Sequence, residues 1–60
     1  MNERVGMLKK ARERMVSDQD AHLKVLAAPF DRETAERARN KFLELQTLIE
    51  ALDRAVVSAT

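Results

Sequence analysis

Ala35, Ala38, Phe42, Leu45, Ile49, Leu52 and Val56 follow one another at alternating intervals of three and four residues. That is a heptad a/d register held for three repeats with no polar interruption, and Ala59 would extend it. Apolar groups recurring about every 3.5 residues draw a single stripe along a helix, and such a stripe has to be covered by another helix. Leu48 and Ala55 widen it at heptad g, while Leu43 and Val57 lie off it at heptad b. An apolar face this broad exceeds what one partner helix covers. Its core is the expected association face, namely Ala35, Ala38, Phe42, Leu45, Leu48, Ile49, Leu52 and Val56.

The covering helix is found in the same chain. Pro29 is the only proline, and its ring disfavours the α conformation at Ala28, so a first helix ends there. Asp31 is a good N-cap for a second, with Phe30 placed to lean on Ala35 as a hydrophobic staple. The sequence therefore predicts a single helical hairpin over residues 1–60, with helix 1 over about 2–27, a turn at 28–31 and helix 2 over about 32–58. Helix 1 has a looser stripe: Val5, Leu8, Met15 and Leu26 keep heptad spacing with Ala11 and Val25 beside them, but Arg12, Gln19 and His22 interrupt it. Gly6 weakens its first turn by about 1 kcal/mol relative to alanine. A break at Ser17, with Asp20 at N3 of a new helix, is the alternative; polar residues alone, without Gly or Pro, favour one continuous helix.

Charge is arranged in blocks although the total is only +1. Residues 1–14 carry a net +3, 15–31 a net −2, 32–41 a net +2 and the remainder a net −2. Folding back at Pro29–Phe30 pairs positions whose numbers sum to about 59, as in an antiparallel αα-hairpin. Asp18 is then expected near Lys41, Asp20 near Arg39, and Lys9 and Lys10 near Glu50. Glu33–Arg37 and Glu50–Arg54 would add i,i+4 pairs within helix 2. Each exposed pair contributes little, but the pattern penalises other registers.

A chain of 60 residues forms one small domain, and one this size is hard to stabilise alone. With no cysteine and no metal cluster to staple it, self-association or docking on a larger assembly is the remaining remedy. The absence of cysteine suits a reducing cytoplasm. The longest apolar run, Val25 to Phe30, is far too short for a membrane span and contains a proline, and nothing reads as a signal peptide. The expected partners are thus copies of itself or other proteins, with no membrane, no small-molecule substrate and no cofactor.

Catalytic chemistry has little to build on. His22, the only histidine, stands one turn after Asp18, but two ligands do not make a metal site, and it reads better as a boundary residue of the seam. One glycine cannot build a phosphate-cradling loop, and no nucleophile–base set is present. The chain is read as a non-enzyme. The basic residues Arg4, Lys9, Lys10, Arg12 and Arg14 form a candidate nucleic-acid face, since clustered cations neutralise phosphates. Glu13 interrupts that run and no aromatic is interleaved for base stacking. Met1, Met7 and Met15 could line a pliant docking groove but are more often core filler.

The stretch HLKVLAAPFDRETA from His22 to Ala35, followed by KFLELQTLIEAL from Lys41 to Leu52, resembles small helical-hairpin proteins of tailed-phage structural modules. Those have an arm, a short turn with an acidic cap, and an arginine-led helix ending in a leucine-rich stretch. Asn40-Lys41 stands where they often carry a basic residue and a glycine. The resemblance covers about half of the chain and implies a virion or assembly component that packs against its copies or neighbours. In length and layout the chain is also similar to the Rop family, whose paired hairpins form a four-helix bundle that binds RNA hairpins. The expectation is an all-α antiparallel hairpin, dimerising into a four-helix bundle or docking in a larger assembly, cytoplasmic or in a virion. An RNA-binding regulator using helix 1 is the alternative.

Overall fold

The computed structural model describes residues 3–28 and 31–59. Two helices account for nearly all of them: α1, Glu3–Ala27, and α2, Arg32–Ala59. They pack against each other as a hairpin, and no strand occurs among the described residues. The molecule is a rod with principal extents of 47 × 14 × 12 Å. Pro29, Phe30 and the staple onto Ala35 lie outside the described residues, as do Met1 and Asn2.

Each helix end has a local cause. Asp31 caps α2: the Thr34 N–H donates to its Oδ1 at 3.0 Å and the Thr34 hydroxyl to its Oδ2 at 2.9 Å. Its carbonyl accepts the first helical bond, from Ala35 N–H at 3.2 Å. The cap holds the Asp31 carboxyl below the usual aspartate value, chiefly through the Thr34 N–H and then through the Thr34 hydroxyl. Glu3 and Glu33 in the first turns, and Lys24 in the last turn of α1, suit the helix dipoles. At the end of α1 the Ala28 N–H donates to the Val25 carbonyl at 3.3 Å, a tightened final turn.

Helix α1 runs unbroken through Ser17, because the polar residues there leave the backbone ladder intact. Gly6 is helical too, and a Cβ placed on it would meet nothing within 4 Å. Packing follows the heptad stripe. Ala38 and Ile49 are the most enclosed apolar residues, 4% and 5% exposed, and the rest of the stripe is half-buried except Leu48. On α1, Val5, Leu8, Ala11, Met15, Val16, His22, Val25 and Leu26 are half-buried. Met15 therefore belongs to the seam, whereas Met7 is exposed.

The cross-helix register differs in detail from the expected one. Arg12 meets Asp53 and Gln19 meets Gln46, pairs that sum to 65 rather than about 59 and so lie about 1.7 turns further along α2 than the fold-back rule places them. Helical side chains lean toward their own N-terminus by about one residue, so in an antiparallel pair contacts shift to later residues on both helices; the reach of the long Arg12 and Gln19 side chains adds to that shift. Among the described residues, Asp18–Lys41, Asp20–Arg39 and Lys9 or Lys10–Glu50 are not ion pairs, and neither are Glu33–Arg37 and Glu50–Arg54. The helix-surface pairs are Arg32–Glu36 at 4.0 Å and Lys41–Glu44 at 3.3 Å. Exposed charges gain too little from one partner to be held to it.

Candidate association face

The seam has two flanks, and they differ in chemistry. In an antiparallel helix pair, the e positions of both helices border one side and the g positions the other. Continuing the α1 register from Val5 at a and Leu8 at d puts Arg12 and Gln19 at a and His22 at d. Gln46 and Asp53 fall at e of α2.

The e flank is bridged by polar bonds, with Leu23, at e of α1, left 48% exposed beside them. Arg12 Nε donates to Asp53 Oδ1 in an ion pair that stays about half exposed. Gln19, only 8% exposed, donates from Nε2 to Gln46 Oε1 at 2.8 Å and to the Phe42 carbonyl at 3.3 Å. A buried amide without partners would cost on the order of 1–3 kcal/mol. No buried side-chain polar atom among the described residues is left unpaired. Gln19 thus acts less as an interruption than as a polar latch. The signal for it was in the sequence: Arg12 and Gln19 lie one heptad apart at a, and Gln46 and Asp53 lie one heptad apart at e.

The g flank is open, and Ala11, Val25, Leu48 and Ala55 stand at g positions along it. Two adjoining depressions run along it, of about 490 and 410 Å³. Val25, Thr34, Ala38 and Arg37 line the first and Asp18, Leu45 and Leu48 the second, with His22 and Lys41 shared between them. Leu48 is 50% exposed there. Ala11 and Ala55, half-buried, continue the same g rows toward the far end. Of the expected association residues, Ala35, Ala38, Phe42, Leu45, Ile49, Leu52 and Val56 are at least half covered within the hairpin, and Leu48 is left outside. Leu43, at heptad b, is 56% exposed beyond the e flank.

The basic residues do not gather on one strip of α1. Lys9, Lys10 and Arg14 fall at e, f and c, Arg4 at g, and Arg12 turns into the seam toward Asp53. All five are exposed. Asp18 and His22 share a depression, but no group of three His, Cys, Asp or Glu among the described residues could hold a metal ion. No described helix is long and apolar enough to cross a membrane. Comparison with known proteins adds no relative: no protein-family model, no curated protein and no solved structure matches the chain.

Proposed function

We propose that this protein is a non-enzymatic structural or adaptor component that works by helix–helix packing. The observation that carries the reading is that the hairpin encloses only Ala38 and Ile49 of α2's apolar residues and leaves Leu43, Leu48 and Val57, beside the heptad stripe, 50–74% exposed. Apolar surface left this way is stabilised when another surface removes it from water. The finer form of the reading, a small phage virion or assembly component, rests on the pattern shared by His22–Ala35 and Lys41–Leu52. The RNA-binding alternative draws on Lys9, Lys10 and Arg14, and their spread around α1 supports it less than a single basic strip would.

Thermal melting followed by circular dichroism over a concentration series tests the main reading. Helix stability that rises with protein concentration, or with an added partner, is the expected result, since binding to the folded state alone raises its stability. A cooperative melt independent of both would overturn it. Lys9/Lys10/Arg14→Ala should leave the melts unchanged; abolished RNA binding in that variant, with no change in self-association, would favour the alternative. Detection of the chain at fixed stoichiometry in purified particles or their precursors tests the phage form, and absence from both would remove it.

A further inference from the structure

Building on the helix-packing reading, we propose that the open g flank takes a second copy of this chain, giving four helices in which every neighbouring pair is antiparallel.

Area is the first ground. The hairpin exposes 4842 Å², whereas a compact monomer of its mass exposes about 4,000 Å². The excess, about 840 Å², is close to the roughly 800 Å² that each partner contributes to a standard interface. A compact globule has no such surplus. It arises here because a rod 47 Å long is only two helices across.

The second ground is where that surface lies. On the e side Arg12 and Gln19 bond to Asp53 and Gln46 across the seam, and the exposed Leu23, Leu43 and Val57 there lie outside the two adjoining depressions. The g flank offers Leu48, with Val25, Ala11 and Ala55 in the same rows and half-buried Met15 and Leu45 beneath them. The same patch on two copies meets itself across a two-fold axis, so no other surface has to be complementary. Polar groups on its border are of both signs, Asp18 and Glu44 beside Lys41 and Arg37, which suits a self-complementary rim better than a polyanion.

The third ground is charge. Both helices have the same polarity: residues 3–14 of α1 carry a net +3 against −1 in 15–28, and residues 32–41 of α2 a net +2 against −2 in 42–59. Parallel neighbours would set basic half on basic half. Antiparallel neighbours set basic on acidic throughout, within the hairpin and across the two-fold alike.

Sedimentation equilibrium of the full chain over a concentration series, with circular dichroism alongside, tests this in the wild type, Leu48→Glu and Leu43→Glu. The expected result is a discrete dimer whose dissociation constant rises roughly 100-fold or more in Leu48→Glu, where a carboxylate would be desolvated. Leu43→Glu, at an equally exposed leucine off that flank, should leave it within a few-fold. Raising the salt should weaken the dimer, because screening removes opposite-charge attraction; a dimer strengthened by salt would overturn the antiparallel arrangement. Self-association lost in Leu43→Glu but not in Leu48→Glu would overturn the choice of flank and leave the helix-packing reading standing. A poorly helical monomer at all concentrations would overturn the second copy and assign the face to a different protein. A monomer that is fully helical and melts cooperatively would overturn both.

Discussion

The two flanks of the seam are made from the same two helices and are solved differently. On the e flank, Arg12 and Asp53 neutralise each other, and the Gln19 amide is bonded to Gln46 and to the Phe42 carbonyl. On the g flank, small and aliphatic side chains border open depressions. Polar bonds have direction and saturate, so the groups that make them need no further partner. Apolar contact is non-directional and grows with area, so a flank lined by it accepts more cover. The contrast teaches that one hairpin can bridge one side of its seam with polar bonds and leave the other side open.

The contrast can be broken most severely from underneath. Ile49 supports both flanks and is nearly enclosed, so Ile49→Asp should cost more than about 3 kcal/mol and abolish the helical signal in circular dichroism, because the carboxylate has no partner there. Gln19→Leu attacks the e flank alone. It should change stability by no more than about 1 kcal/mol in denaturant titration, since Gln46 can turn to water, yet it should loosen the register, as removal of a polar seam residue does in coiled coils. Disulfide trapping between cysteines introduced at Arg12 and Asp53 would read that loss. A trapping pattern as narrow as the wild type's would show that apolar packing alone sets the register.

Much of this was legible beforehand, and the rest failed for identifiable reasons. The stripe from Ala35 to Val56 fixes α2 and its buried side because a heptad spacing has one helical solution. The Asp31 cap is equally local, a side chain and an amide three residues apart. The cross-helix partners were not so readable. They depend on how far Arg12 and Gln19 lean and reach along the seam, and the fold-back rule counts backbone positions without either. Leu48 shows a similar gap: its heptad letter places it beside the stripe, but only the packed pair reveals that it stays outside.

Gly6 sharpens the comparison by touching neither flank. Gly6→Ala should raise stability by about 0.5–1 kcal/mol with unchanged self-association, because the added methyl meets nothing and the unfolded chain loses freedom. A destabilised Gly6→Ala variant would mean that the first turn of α1 is covered by something else. Smaller still is Arg12→Ala, expected to cost about 0.2–1 kcal/mol in low salt and less in high salt, as for a half-exposed pair. Asp31 gives the hairpin one source of acid sensitivity. Its folded pKa is lowered, so the cap stabilises the hairpin fully above the unfolded aspartate value and loses that contribution as pH falls through the folded one. Asp31→Ala should lower the melting temperature near neutrality and flatten its fall on acidification; an unchanged acid profile would mean that other carboxylates set the limit.

The long, thin form of the hairpin also governs how it moves through solvent. A rod of 47 × 14 × 12 Å drags more water than a sphere of equal mass, so a single hairpin should diffuse slowly and elute early from a sizing column, as if it were heavier. A second hairpin laid alongside doubles the mass and thickens the particle with little added length. Friction then rises more slowly than mass, and the pair should migrate close to the position that its true weight assigns.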